Sequence, residues 1–164
     1  MAAKAGVMVW QDVMIDRWIE HDALRAAFAL VFAIDPARIE IVDLPDTLTG
    51  PIPPEPYILL ERIDHEGPFP LHLRMVLAGD TLECPVADLA GTLDYVRALA
   101  RALNATMLFW DGPIGHDEEL RVAPDGTVDI VEMDDDELDE ERYVIVGSRP
   151  FTELPASATT AAAG

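Results

Sequence analysis

Cation is what this chain lacks most. Its 164 residues carry 11 Lys+Arg against 31 Asp+Glu, a formal net charge of -20, and the only lysine is Lys4. Phosphate backbones and anionic membrane surfaces are held by clustered cations, so direct binding to nucleic acid or to an anionic membrane is excluded as an expectation. Cysteine is equally scarce: Cys84 alone can form neither an intramolecular disulfide nor a multi-cysteine metal site, which points to a reducing, cytoplasmic setting. No apolar run approaches the roughly 20 residues needed to cross a bilayer, and residues 1–12 lack a sustained signal-peptide core. Gly-rich phosphate loops and the Gly-x-Ser-x-Gly nucleophile motif are absent too, which argues against nucleotide enzymes and serine hydrolases of that type.

Apolar residues are present in quantity. They make up 50% of the chain, far above what an acidic disordered protein carries, and a chain of this length buries roughly 70% of its unfolded surface in one domain. We expect one domain over residues 1–150 and a small-residue, disordered tail over residues 151–164.

Periodicity gives the elements. Trp18, Leu24, Ala27, Phe28 and Val31 recur at helical spacing and predict a first helix over residues 16–32, stopped by Asp35-Pro36. Val13-Met14-Ile15 before it is either a small strand or the lead-in to that helix. Residues 38–42 alternate as a short strand. Pro45, Pro51, Pro53, Pro54 and Pro56 then exclude helix and central strand and predict a long internal loop. Residues 57–64 and 69–77 predict a hairpin closed by His65-Glu66-Gly67-Pro68, with Phe69, Leu71, Leu73, Met75 and Leu77 on one face and His72 and Arg74 on the other.

A second helix is predicted over residues 85–103. Pro85 suits its first position, Val86, Leu89, Leu93, Val96, Ala100 and Leu103 form its stripe, and Asn104 caps its C-terminus. Residues 106–110 read as a strand buried on both faces. Residues 119–122 and 127–131 flank Pro124-Asp125-Gly126, where Pro presets φ and Gly accepts a left-handed turn, and predict a second hairpin. A last strand is expected over residues 142–146. The fold class is thus α+β, a mostly antiparallel sheet packed against two principal helices on one face, with the other face partly open.

Chemistry is sparse. His21, His65, His72 and His116 match no zinc spacing, so no metal and no cofactor is expected, although His65, His72 or His116 with nearby carboxylates would serve a small metal-dependent hydrolase. Cys84 has no neighbouring base and reads as structural. The outlier is acidic: residues 111–141 hold 14 Asp/Glu and one cation, Arg121. Asp134, Asp135, Asp136, Glu137, Asp139, Glu140 and Glu141 crowd into eight positions, and a calcium EF-hand loop there is disfavoured because Asp139 stands where glycine is needed. Such a run is either a solvated face or an electrostatic docking surface for a basic partner.

The stretch over residues 69–141 resembles the small acidic immunity proteins of bacterial polymorphic and contact-dependent toxin systems. The likeness lies in the strand FPLHLRMVL, the helix ending LARALN, the strand closing on Asp111-Gly112, and LRVAPDGTVDIVEMDDDELDEE. It implies a non-enzymatic cytoplasmic antidote, monomeric or homodimeric, that binds a basic toxin or effector and occludes its active site, and it brings no catalytic residue. The seven acids 134–137 and 139–141 are then the leading partner contacts. A secretion-type chaperone, also small and acidic, is the nearest alternative.

Overall fold

Val13-Met14-Ile15, read as either a small strand or the lead-in to a helix, belongs to a longer strand, β1 (Met8–Ile15), at the centre of the sheet. In the computed structural model of the chain, residues 8–46, 50, 54–79, 89–110, 115 and 117–152 are described. After β1 come α1 (His21–Phe32), a 3-10 turn (Pro36–Arg38), β2 (Ile39–Asp43), β3 (Tyr57–Asp64), β4 (Leu71–Ala78), α2 (Leu89–Leu103), β5 (Met107–Phe109), β6 (Glu118–Val122), β7 (Val128–Met133), α3 (Asp135–Asp139) and β8 (Ile145–Pro150). The strands make one eight-stranded sheet in the order β2-β3-β4-β1-β5-β6-β7-β8, antiparallel except for β2 with β3. The α+β class follows, as alternation and helical spacing anticipated.

The first helix starts at His21 and not at residue 16, for reasons of pairing. Asp16 carries the ladder one residue past β1: its N–H donates to the Thr106 carbonyl at 3.1 Å, and its Oδ1 accepts from the Thr106 N–H. Further along, the Ile19 carbonyl accepts from the buried Arg62 guanidinium at 2.7 Å. Trp18, placed by spacing on the helix stripe, instead lies over that guanidinium, 4.4 Å from carbon to ring centroid. The helix that remains buries Leu24, Ala27, Phe28 and Phe32 and ends on Ala33 in the left-handed region (φ 50°).

Both helices lie on one face of the sheet. Phe28, Phe32, Leu93, Val96, Leu99 and Ala100 pack against Val13, Ile15, Ile58, Leu60, Leu71, Leu73, Met75, Leu77, Phe109 and Leu120. Phe32 and Tyr95 join the two helices, ring centroids 5.5 Å apart. Asn104 closes α2 at φ 49°, the left-handed cap expected of it. Pro85 and Val86 of that helix, with Cys84 and the tail beyond residue 152, lie outside the described residues.

The hairpin β6–β7 forms about its Pro-Asp-Gly turn: Gly126 sits at φ 90°, and Asp125 Oδ1 accepts from the Thr127 N–H at 2.8 Å. The strand expected over residues 106–110 is shorter, since Trp110 leaves the ladder and stands 53% exposed. The last strand is shifted to Ile145–Pro150. Arg142 is drawn back instead, its N–H donating to the Glu137 carbonyl at 2.8 Å and its side chain pairing with the Glu137 carboxylate. No helix among the described residues is long and apolar enough to cross a membrane.

Candidate functional site

The two halves of the sheet meet narrowly. β1 runs beside β4 over all eight residues, yet its ladder with β5 comprises only Met14 with Leu108 and Ile15 with Met107. Beyond that joint the strands part, and on the face opposite the helices a cleft of about 500 Å³ opens, lined by Trp10, Asp12, Met14, His72, Phe109, Trp110, Glu119 and Tyr143. Met14 and Leu108 of its lining belong to a small cluster with Phe69, Val131 and Met133, against which Leu138, Tyr143 and Ile145 pack.

Asp12 and His72 on one side of the cleft belong to a polar row set by register. Glu61, Arg74 and Asp12 are direct neighbours across β3, β4 and β1, so alternating charges lie side by side. Arg74 reaches Glu61 at 3.3 Å and Asp12 at 3.4 Å, and His72 donates from Nε2 to the same Asp12 oxygen, Oδ1, at 2.8 Å. The His72 hydrogen bond holds the Asp12 carboxyl below the usual carboxylate range, against the opposing pull of partial burial. His65 stands edge-on to His72 with ring centroids 5.2 Å apart, and its Nδ1 donates to the Glu141 carbonyl at 3.1 Å. The turn of the β3–β4 hairpin is therefore tied to the end of the acidic run.

Across the cleft, Glu119 takes no hydrogen bond and no ion pair among the described residues. Burial alone pushes its carboxyl up to about 7. Tyr143 also lines the cleft, and burial together with the charges of Glu119, Asp12 and Glu141 raises its hydroxyl pKa.

The acidic run itself is folded. Asp134 caps α3, its Oδ1 accepting from the N–H groups of Asp136 and Glu137 at 3.0 and 3.2 Å. Leu138 is turned under the helix onto the second cluster, Glu137 is taken by Arg142, and Asp135, Asp136, Asp139, Glu140 and Glu141 are exposed. Carboxylates in the first turn also suit the positive end of the helix dipole.

Of the histidines singled out by sequence, His65 and His72 converge, while His21 is remote and pairs with Asp43 at 3.1 Å. His116 lies outside the described residues. No three His, Cys, Asp or Glu side chains among the described residues gather as a metal-binding group. The sequence reading passed over Asp12, Glu61, Glu119, Trp10, Trp110 and Tyr143. For Asp12 a signal was available, a lone carboxylate inside the apolar run Val7 to Ile15.

Compared with protein-family models, with curated proteins and with solved structures, the chain finds no match.

Proposed function

We propose that this chain is a non-enzymatic docking protein for a basic partner, and that it acts as an immunity protein, occluding a cognate toxin or effector. One observation supports the reading most: the acidic run is a capped helix anchored by Leu138, so Asp135, Asp136, Asp139 and Glu140 form a fixed outward ridge instead of a loose solvated loop. A fixed field of one sign speeds encounter with a partner of the other and orients it. The charge of -20 favours a cationic partner over an anionic one.

The test is association with the purified product of the neighbouring reading frame, followed by stopped-flow at low and physiological salt. Replacing the four ridge acids together by Asn or Gln should lower the low-salt association rate by about tenfold and flatten its salt dependence. An unchanged rate and slope would end the docking reading.

A chaperone reading draws support from a different place. A groove of about 530 Å³ between α1 and α2 is lined by Trp18, Ile19, Ala23, Leu30 and Leu103, with Leu30 75% exposed. Dimerisation together with capture of an unfolded effector segment, both blocked by Leu30→Glu, would move the assignment to that class.

A further inference from the structure

Trp10 and Trp110 are 64% and 53% exposed and line the same cleft. Large indoles left in water beside a concave site are ordinarily covered by something when the protein works. Among the described residues, the ionisable groups lining the cleft are Asp12, His72, Glu119 and Tyr143, with neither arginine nor lysine. Both hydrogen bonds that the Asp12 carboxylate accepts among the described residues fall on Oδ1, which leaves Oδ2 for another donor. The Glu119 carboxyl has no partner there either, although it is largely withdrawn from water.

We infer that the cleft between β1 and β5 receives an arginine side chain of the basic partner, its guanidinium lying on the indoles and donating to Asp12 and Glu119. This deepens the docking reading and rests on it. The chemistry selects guanidinium over other groups. An anion would face two carboxylates, with the neighbouring Arg74 already shared between Asp12 and Glu61, and an apolar side chain would leave the Glu119 carboxyl covered and unpaired. A guanidinium is planar, weakly hydrated and carries five donors, so it can stack on an indole while hydrogen-bonding carboxylates. The volume, about 500 Å³, falls in the range of ligand sites. Position ties the cleft to the ridge, because Tyr143 lines the cleft and follows α3 by four residues. A partner drawn in by the ridge would thus meet the cleft at the same surface.

The probe is the blocked peptide acetyl-Gly-Arg-Gly-amide, titrated into the full chain by tryptophan fluorescence and calorimetry at physiological salt. Its citrulline analogue keeps the shape and removes the charge. Saturable binding is expected for the arginine peptide, at least about tenfold tighter than for citrulline, and Trp110→Ala and Glu119→Gln should each weaken it about fivefold. Trp110 is exposed and Gln is isosteric with Glu, and an unaltered urea midpoint for Trp110→Ala certifies the fold. Neutralising the four ridge acids should leave peptide affinity within about twofold, since the peptide is too short to span both surfaces. Equal binding of the citrulline peptide, or indifference of the arginine peptide to both substitutions, overturns the inference. So does loss of peptide binding in the ridge variant, or free L-arginine binding more tightly than the peptide, which would make the cleft a small-molecule site. The docking reading fails by a separate measurement, a partner association that ignores the ridge, so the two are distinguishable.

Discussion

Arg62 and Asp43 face each other across the parallel pair β3 and β2, the guanidinium engaging both carboxylate oxygens, with Nη2 2.7 Å from Oδ2. Arg62 is only 6% exposed, and its Nη1 donates to the Ile19 carbonyl while Trp18 covers its face. One side chain therefore fastens β3 to the edge strand and to the segment leading into α1. His21 adds a further contact to the same carboxylate.

Arg62→Met should cost roughly 2–3 kcal/mol in urea unfolding at pH 7, below the full value for a buried pair because Asp43 is partly open to water. The ion pair also makes the difference depend on pH. Arg62 holds the Asp43 carboxyl well below the usual carboxylate range, with His21 adding to the effect. A carboxyl whose folded pKa is depressed contributes stability above its unfolded value, near 4, and loses it as pH falls through the folded one. The gap between wild type and Arg62→Met should accordingly narrow below about pH 4. A gap that stays constant to pH 2 would mean that packing against Trp18, and not charge, carries the effect.

Glu119 runs the other way. Its folded value, about 7, lies above the ordinary 4.5 of the unfolded chain. Its stability contribution is fully present below about pH 4 and is lost as pH rises through 7, because the folded protein must then ionise a desolvated carboxyl. The groups around it are Asp12, His72 and Tyr143 across the cleft, with Arg121 next along its own face but neutralised by Asp129. Glu119→Gln should match wild type near pH 4 and be more stable at pH 8 by on the order of 2 kcal/mol. Parallel curves of unfolding midpoint against pH for the two proteins would refute this.

Gly79 ends β4 at φ 122°, and a Cβ there would lie 2.7 Å from Pro56 Cα and 2.8 Å from Pro56 Cβ. Backbone meets backbone, so nothing can rotate away. Gly79→Ala should destabilise by about 2–4 kcal/mol, from strain at positive φ together with the clash. Gly50 has nothing within 4 Å and provides the control: Gly50→Ala should change the urea midpoint by less than about 0.5 kcal/mol equivalent. Similar losses in both variants would remove the close approach as the cause, since unfolded-chain entropy alone makes either substitution stabilising.

Local chemistry decided what could be read early. Pro124-Asp125-Gly126 names its own turn, Leu93, Val96 and Ala100 name a helical stripe, and Leu71, Leu73, Met75 and Leu77 name a core face. Neighbours along the chain suffice for each. β1 escaped because it is central. Met14 packs on one face while Val13 and Ile15 pack on the other, so the alternation that marks a half-exposed strand is blurred. The cleft was illegible for a related reason. Asp12, His72 and Glu119 come from three strands far apart in the sequence, and their meeting depends on register and strand order.

By itself, then, the sequence determined the sign and the location of the charge, with -20 overall and the greater part over residues 111–141, the α+β class, and the exclusion of polyanion binding as an expectation. Tertiary structure decided the rest. Folding packed Leu138 against the second cluster and so turned an acidic run into a ridge. It placed β1 between the sheet's halves and left a cleft where β5 falls short, and it withdrew much of Glu119 from water with no partner for its carboxyl among the described residues. Charge is additive along a chain, and periodicity is local. Desolvation and register exist only once distant segments have met.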